Sequence, residues 1–233
     1  MLNDLELMQL HVEAEFTHDA KGCLLSTNEP TPARAPRFFL GCTSLGFVRR
    51  YRHDVSPPRR HALEAAIRRL DTHASEISGP LDPTPFEKIL AEDAPIEHTS
   101  VGLAYRFPQA SQSASDARVL RDPADAALLH PLLAPWAPDI QSSPPLVALI
   151  VVGQAVAVCG SVRIAPRAHE AGVETAAPFR GRGYGRAVVA AWAAAVRALG
   201  VEPVYSTIWQ NTASRALARA TGLEPVGCDI HIR

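Results

Sequence analysis

Apolar residues in this chain change their spacing from one stretch to the next, and each change marks an element. Leu5, Met8, Val12 and Phe16 recur every three or four residues, one face of a helix, and Asn3 with Glu6 forms a capping-box pattern at its start. "GCLLST" (22–27) then reads as a strand, followed by the proline-rich loop "NEPTPARAP". "RFFLGCT" and "FVRRYRHDV" suit a hairpin turning across Ser44 to Gly46. Ser56-Pro57 opens a helix whose buried stripe is Leu63, Ile67 and Leu70. Thr84-Pro85-Phe86-Glu87 is a second capping-box pattern, opening a short helix with Ile89 and Leu90. The strand "SVGLAYRF" runs into "PQASQSASD" (108–116), a small polar stretch expected to be a linker.

After that linker, "ARVL" (117–120) is a short strand, and Asp122-Pro123 starts a helix that Pro131 interrupts. "PLVALIVV" and "AVAVCGSVRIA" are two strongly apolar strands around a turn at Gly153-Gln154. "EAGVET" (170–175) is the next strand, and a helix follows from about Tyr184 to Leu199, with Val188, Trp192, Ala195 and Leu199 as its core stripe and Arg186 and Arg197 exposed. "PVYSTIW", the helix "NTASRALARATG" and the strand "PVGCDIHI" complete the chain. These elements predict an α+β protein with a smaller N-terminal domain over residues 1–110 and a second domain over 116–233.

Composition narrows the classes. With 47% apolar and 20% charged residues among 233, the chain can bury a core. A formal charge of −1 gives no bulk attraction for nucleic acid or anionic membrane, so neither is an expected partner. Arg49, Arg50 and Arg52 alternate faces along a strand and form no single basic stripe. Cys23, Cys42, Cys159 and Cys228 lie far apart without a CxxC, and His11 and His18 have no third ligand nearby in sequence, so no metal is expected. The N-terminus lacks the basic start and apolar run of a signal peptide, and a cytoplasmic location is expected.

The chemistry concentrates in "PFRGRGYGRAVVAAW" (178–192). Glycines let a backbone approach an anion, and the first amides of the following helix point at it unsatisfied. Gly181, Gly183 and Gly185 give GxGxG after a hairpin rather than GxGxxG in a βαβ unit, which disfavours a dinucleotide site. No Gly-Lys-Ser/Thr ending exists, so a Walker loop is excluded. What remains is RxxGxG: Arg180, Gly183 and Gly185.

That loop, with "YSTIWQNTASRALARATGL" (205–223), resembles the GCN5-related N-acetyltransferase (GNAT) superfamily. The spacing from Asn211 to Gly222 and the preceding hairpin agree with the family pattern over the last half of the chain, with a flavour closest to the glycine-acyltransferase-like and FR47-like branch. The resemblance implies a C-terminal GNAT fold, a mixed, mostly antiparallel central sheet flanked by helices. It implies acyl transfer from acetyl-coenzyme A, or another acyl-CoA, to a small-molecule or peptide amine, without a metal. The diphosphate would lie over Gly181, Arg182, Gly183, Tyr184 and Gly185, with Arg180 and Arg182 adding charged hydrogen bonds. The pantetheine arm would pair with the backbone at Thr175, and Asn211 and Ser214 would lie beside it. Relatives commonly end with two strands after this region. The missing one is therefore expected from the N-terminal half, which would also cover the acceptor pocket, or from a second subunit of a homodimer.

Attack requires a neutral amine, although an alkylamine has a pKa near ~10.4, so a base is expected. Strand alternation puts Glu170, Gly172 and Glu174 on one face, with the acids about 13 Å apart at ~3.3 Å per residue. One would be the base and the other would orient the substrate. His169 competes for the role, and a β-bulge would change the facing. Many relatives carry a tyrosine acid seven residues past the asparagine, and here that position is Ala218; Tyr205, Ser206 or water would have to replace it. The alternative reading is a non-catalytic acyl-CoA-binding module.

Overall fold

The computed structural model describes residues 2–70, 79–109 and 117–233. From residue 110 onward the expected linker lies outside the described residues. In chain order the elements are α1 (Asp4–Glu15), β1 (Phe16–His18), β2 (Leu24–Thr27), β3 (Phe38–Thr43), β4 (Gly46–Tyr51), α2 (Pro57–Ile67), α3 (Thr84–Ala91) and β5 (Thr99–Arg106). They continue with β6 (Ala117–Leu120), 3-10 turns at Pro123–Leu128 and Pro131–Trp136, α4 (Asp139–Ser142), β7 (Leu146–Val151), β8 (Gln154–Ile164) and β9 (Ala168–Thr175). A 3-10 turn at Ala177–Phe179, α5 (Tyr184–Ala198), β10 (Glu202–Ile208), α6 (Thr212–Thr221) and β11 (Glu224–Ile232) complete the chain. The fold is α+β, with a mixed, mostly antiparallel sheet flanked by helices. The β9–β10 pair is parallel, whereas β3–β4, β3–β11, β6–β7, β7–β8 and β8–β9 are antiparallel. Among the described residues no helix is long and apolar enough to cross a membrane.

The chain forms two compact units. The first comprises Met1–Tyr105, Ser206–Asn211 and Pro225–Arg233, with strands in the order β4-β3-β11-β5. Alternation along β11 sends Ile230 and Ile232 to one face, where Phe38, Leu40, Leu63, Phe86 and Leu90 close a core under α2 and α3. The other face carries α1, whose Met8 and Val12 pack with Phe39, Val48 and Phe16. The Asn3–Glu6 capping box forms with both reciprocal hydrogen bonds. The second box does not form. α3 begins at Thr84 itself after Pro83, Thr84 N–H donates to Asp82 Oδ1 at 3.0 Å, and Glu87 accepts from Thr99 Oγ1 at 2.6 Å instead.

The second unit comprises Arg106–Tyr205 and Thr212–Glu224, with strands in the order β10-β9-β8-β7-β6. The β7–β8 turn lies one residue earlier than expected: Val152 and Gly153 both take positive φ (49° and 78°), as the two-residue turn of right-twisted strands requires. The segment after Asp122 forms 3-10 turns rather than a helix, because Pro131 and Pro135 remove the amides an α-helix needs. α5 covers the sheet with Val188, Val189, Trp192, Ala193 and Val196. Its stripe ends there: Leu199 caps the helix and is 59% exposed, while Arg197, expected on the exposed face, donates to the carbonyls of Phe107 and Pro108.

Candidate functional site

β9 organises the site in the second unit. Its parallel ladder with β10 holds for Ala168–Glu170 against Glu202–Val204 and stops there, although β9 runs on to Thr175. Beyond that ladder β9 keeps only its β8 partner, so the alternate backbone groups of Ala171–Glu174 that β8 does not take are the ones an extended amide-bearing ligand could pair with as a strand.

The chain then turns through Ala177–Phe179 into the glycine loop. Gly181 and Gly183 take φ of 73° and 81°, a region that disfavours residues with a Cβ, and the space a Cβ would enter at either is open. Gly183 is the N-cap of α5, and the first helical bond at this end runs from Ala187 N–H to the Gly183 carbonyl at 3.2 Å. The amides of Tyr184, Gly185 and Arg186 therefore have no intrahelical acceptor and carry the positive end of the helix dipole. Arg180 Nε donates to the Thr175 carbonyl at 3.1 Å, which ties the loop to the end of β9. Arg182 lies over the Phe179 ring at 5.5 Å and donates to Pro178 O at 3.4 Å. Both guanidinium groups stay at the surface, beside the open loop. A Cβ on Gly185 would meet Thr175 Oγ1 at 3.4 Å, so strand end, loop and helix start are in contact. The loop thus combines exposed backbone, three helix-start amides without intrahelical acceptors and two surface arginines.

The two carboxylates occupy different settings. Glu170 is 2% exposed and accepts from Arg163 Nη1 at 2.7 Å in a pair between directly opposed residues of β8 and β9. Glu174, on the part of β9 beyond the β10 ladder, is half-buried and accepts from Trp136 Nε1 at 2.7 Å. A bulge does occur, in β8 between Ser161 and Arg163. It leaves Gly160 opposite Gly172 and Val158 opposite Glu174, so the alternation of β9 holds. Trp136 fills the slot over the two glycines: a Cβ on Gly160 or Gly172 would lie 3.0 or 3.1 Å from its ring. Sequence reasoning missed Trp136. Its signal is the pair of glycines facing each other across two strands, a recess for one large side chain, and that is visible only once register is known.

His169 belongs to the opposite face. Its Nδ1 lies 3.0 Å from Ser161 Oγ, which accepts from the fully buried Trp192 Nε1 at 3.2 Å. Burial lowers the His169 pKa below its usual 6.5. This network fastens α5 to the sheet and sits among packing residues rather than beside Glu174. Ser214 Oγ is 2.7 Å from the hydroxyl of Tyr205, a residue at the end of the second unit's part of β10. Ala218, one turn further along α6, is fully buried. In the first unit, Asn211 is exposed and its N–H donates to the Ile208 carbonyl at 3.0 Å.

Residues 116–223 match the Acetyltransferase (GNAT) family. Solved structures bearing that family's description align with this chain. An acetyltransferase from the GNAT family of Colwellia psychrerythraea aligns over 100% of this chain and 97% of its own, with 13% identity and a TM-score of 0.50. A putative GNAT-family acetyltransferase from Novosphingobium aromaticivorans aligns over 59% of this chain and 65% of its own, with 21% identity and a TM-score of 0.47. A GCN5-related N-acetyltransferase from Kribbella flavida aligns over 62% of each chain, with 19% identity and a TM-score of 0.43. The chain thus spans less than two-thirds of the length of these last two structures. No curated protein matches it. The GNAT match contains every expected site residue, from Glu170 to Ser214.

Proposed function

We propose that this protein transfers an acyl group, acetyl first, from acyl-coenzyme A to an amine by direct attack. One observation carries the reading: a single strand, β9, parts from β10 and leads at once into a left-handed glycine loop that opens α5. A slot for an amide-bearing arm and a cradle for its diphosphate therefore follow one another along the chain, as coenzyme A requires. The stretches around Glu174-Thr175 and Tyr205-Ser206-Thr207 favour the glycine-acyltransferase-like or FR47-like branch.

Acyl-coenzyme A supplies the thioester carbonyl. The amine nitrogen forms the new bond to that carbon, the bond to sulfur breaks, and one proton must leave nitrogen while one is delivered to the thiolate. Glu174 is placed to take the first, directly or through water: it lies on the parted end of β9, and Trp136 steadies one carboxylate oxygen. Glu170, already neutralised by Arg163, orients the strand instead. Tyr205 delivers the second proton. Its hydroxyl reaches the α6 face that carries Ser214 and Ala218, and so returns a phenol to the side of α6 where a tyrosine at position 218 would stand.

Glu174→Gln should lower kcat by roughly 100-fold or more, the usual contribution of a positioned base, with little change in KM for acetyl-CoA. Tyr205→Phe should lower kcat by about tenfold, because a thiol with pKa near ~8.5 leaves tolerably unaided. Thiol release measured across an amine panel reads both. Tight binding of acetyl-CoA without amine-dependent release from any acceptor would support the binding-module reading instead, which Ala218 at the usual tyrosine position motivates.

A further inference from the structure

The first unit holds a side-chain cluster that acyl transfer does not use. Asp229 and His231 lie two apart on β11, so both point away from the Ile230 and Ile232 core and toward α1. α1 comes down on that surface: a Cβ on Gly41, the residue opposite Asp229, would run into the Met8 side chain at 2.5 Å. One turn past Met8, His11 Nε2 reaches 3.4 Å from Asp229 Oδ2, and His231 Nε2 lies 3.0 Å from Oδ1 of the same carboxylate. Gly102 on β5 makes room for the carboxylate, since a Cβ there would be 2.8 Å from Oδ1.

We infer that His11, Asp229 and His231 form a site for a divalent transition ion, zinc first. One ligand atom from each lies within 4.8 Å of the others. Bonds of ~2.0–2.1 Å in a tetrahedral zinc shell put neighbouring ligand atoms roughly 3.3 Å apart, and the two contacts, each to its own oxygen of Asp229, lie on either side of that spacing. Asp229 Oδ2 and His231 Nε2 are buried, and within the described residues neither meets a well-aligned hydrogen-bond partner. Two imidazoles and one carboxylate suit zinc better than calcium or magnesium, which prefer oxygen shells.

The surroundings favour ion capture. The His11 and Asp229 side chains are 2% and 4% exposed, while Phe16 and Phe39 stand 5.3 and 5.2 Å from the His231 ring and keep the dielectric low. The His231 side chain, at 19% exposure, gives entry and room for water as the fourth ligand. Glu15, one turn after His11 on α1, places a carboxylate oxygen within 4.8 Å of a His11 ring nitrogen, where it can orient the imidazole as such partners do in metal sites. The ion fastens α1 to the last strand. The second and third members of this set lie at the far end of the chain, beyond the reach of the local spacing read from His11 and His18.

The test is elemental analysis of the purified full-length chain, followed by titration of the chelator-stripped chain with zinc against a chromophoric competitor. About one zinc per chain is expected, with a thermal midpoint that rises on addition and a cobalt derivative showing tetrahedral visible bands. His231→Gln, at the least buried ligand, should weaken zinc by more than about 100-fold and Glu15→Gln by about 10- to 100-fold, both with native far-ultraviolet dichroism. Absence of zinc together with no uptake at micromolar concentration overturns the site. So does uptake that His231→Gln and Asp229→Asn leave unchanged. Neither result bears on acyl transfer, which is read separately by thiol release.

Discussion

Gly183 shows how much can depend on one missing methyl. Its φ of 81° would strain any L-residue, by ~1–2 kcal/mol, yet nothing occupies the space a Cβ would take. Gly183→Ala should therefore leave a folded protein whose KM for acetyl-CoA rises about tenfold or more, a loss of ~1.4 kcal/mol in grip; steady-state kinetics with a fixed amine reads it. Ser161 is the opposite case, buried and shared by two partners. Ser161→Ala strands both the Trp192 indole N–H and His169 Nδ1, and should cost roughly 1–3 kcal/mol in denaturant unfolding. His169 also sets a pH dependence. Burial holds its folded pKa below 6.5, so the unfolded chain takes up the proton first on acidification. The stability it contributes is complete above 6.5 and lost as pH falls toward the folded value. Urea midpoints followed from about pH 7 down to about pH 5 should therefore decline in the wild type, and His169→Asn should flatten that decline.

Among elements, β9 carries the argument, since it pairs at its start, parts at its middle and ends in the glycine loop. If the parted stretch takes up the pantetheine arm, exchange of those amides within Ala171–Thr175 that do not bond β8 should slow about tenfold or more on saturation with acetyl-CoA, while Val147–Leu149 in the middle of β7 stays unchanged. Exchange followed by mass spectrometry or NMR separates this outcome from a ligand that touches the loop alone. Local signals made most of the second unit legible before the structure: the apolar hairpin, the glycine run and the α5 stripe each depend on neighbours within a few residues. Elements went astray where one pattern has two physical solutions. Thr-x-x-Glu before α3 reads as a cap, but Pro83 lets the helix begin at Thr84, and Glu87 turns to Thr99. The Asp122–Trp136 stretch has helical spacing, but its prolines leave too few amides for an α-helix.

For the whole molecule, the site divides along the same line. The loop from Arg180 to Gly185 was legible in sequence because a glycine turn at a helix start is built from consecutive residues. Trp136 over Gly160 and Gly172 could not, because it depends on strand register, and the His11–Asp229–His231 cluster could not, because only folding brings the first helix to the last strand. The same limit applies to the contact of the Tyr205 hydroxyl with Ser214 Oγ, which joins two separate elements. The account as a whole requires that the loop and the parted strand hold acyl-coenzyme A. Calorimetric titration of acetyl-CoA into the full-length chain and into Arg180→Ala tests this most directly. The account predicts one site with a micromolar Kd, roughly −8 kcal/mol, weakened about tenfold or more by the substitution. No binding at millimolar acetyl-CoA, or equal binding by both proteins, would contradict it.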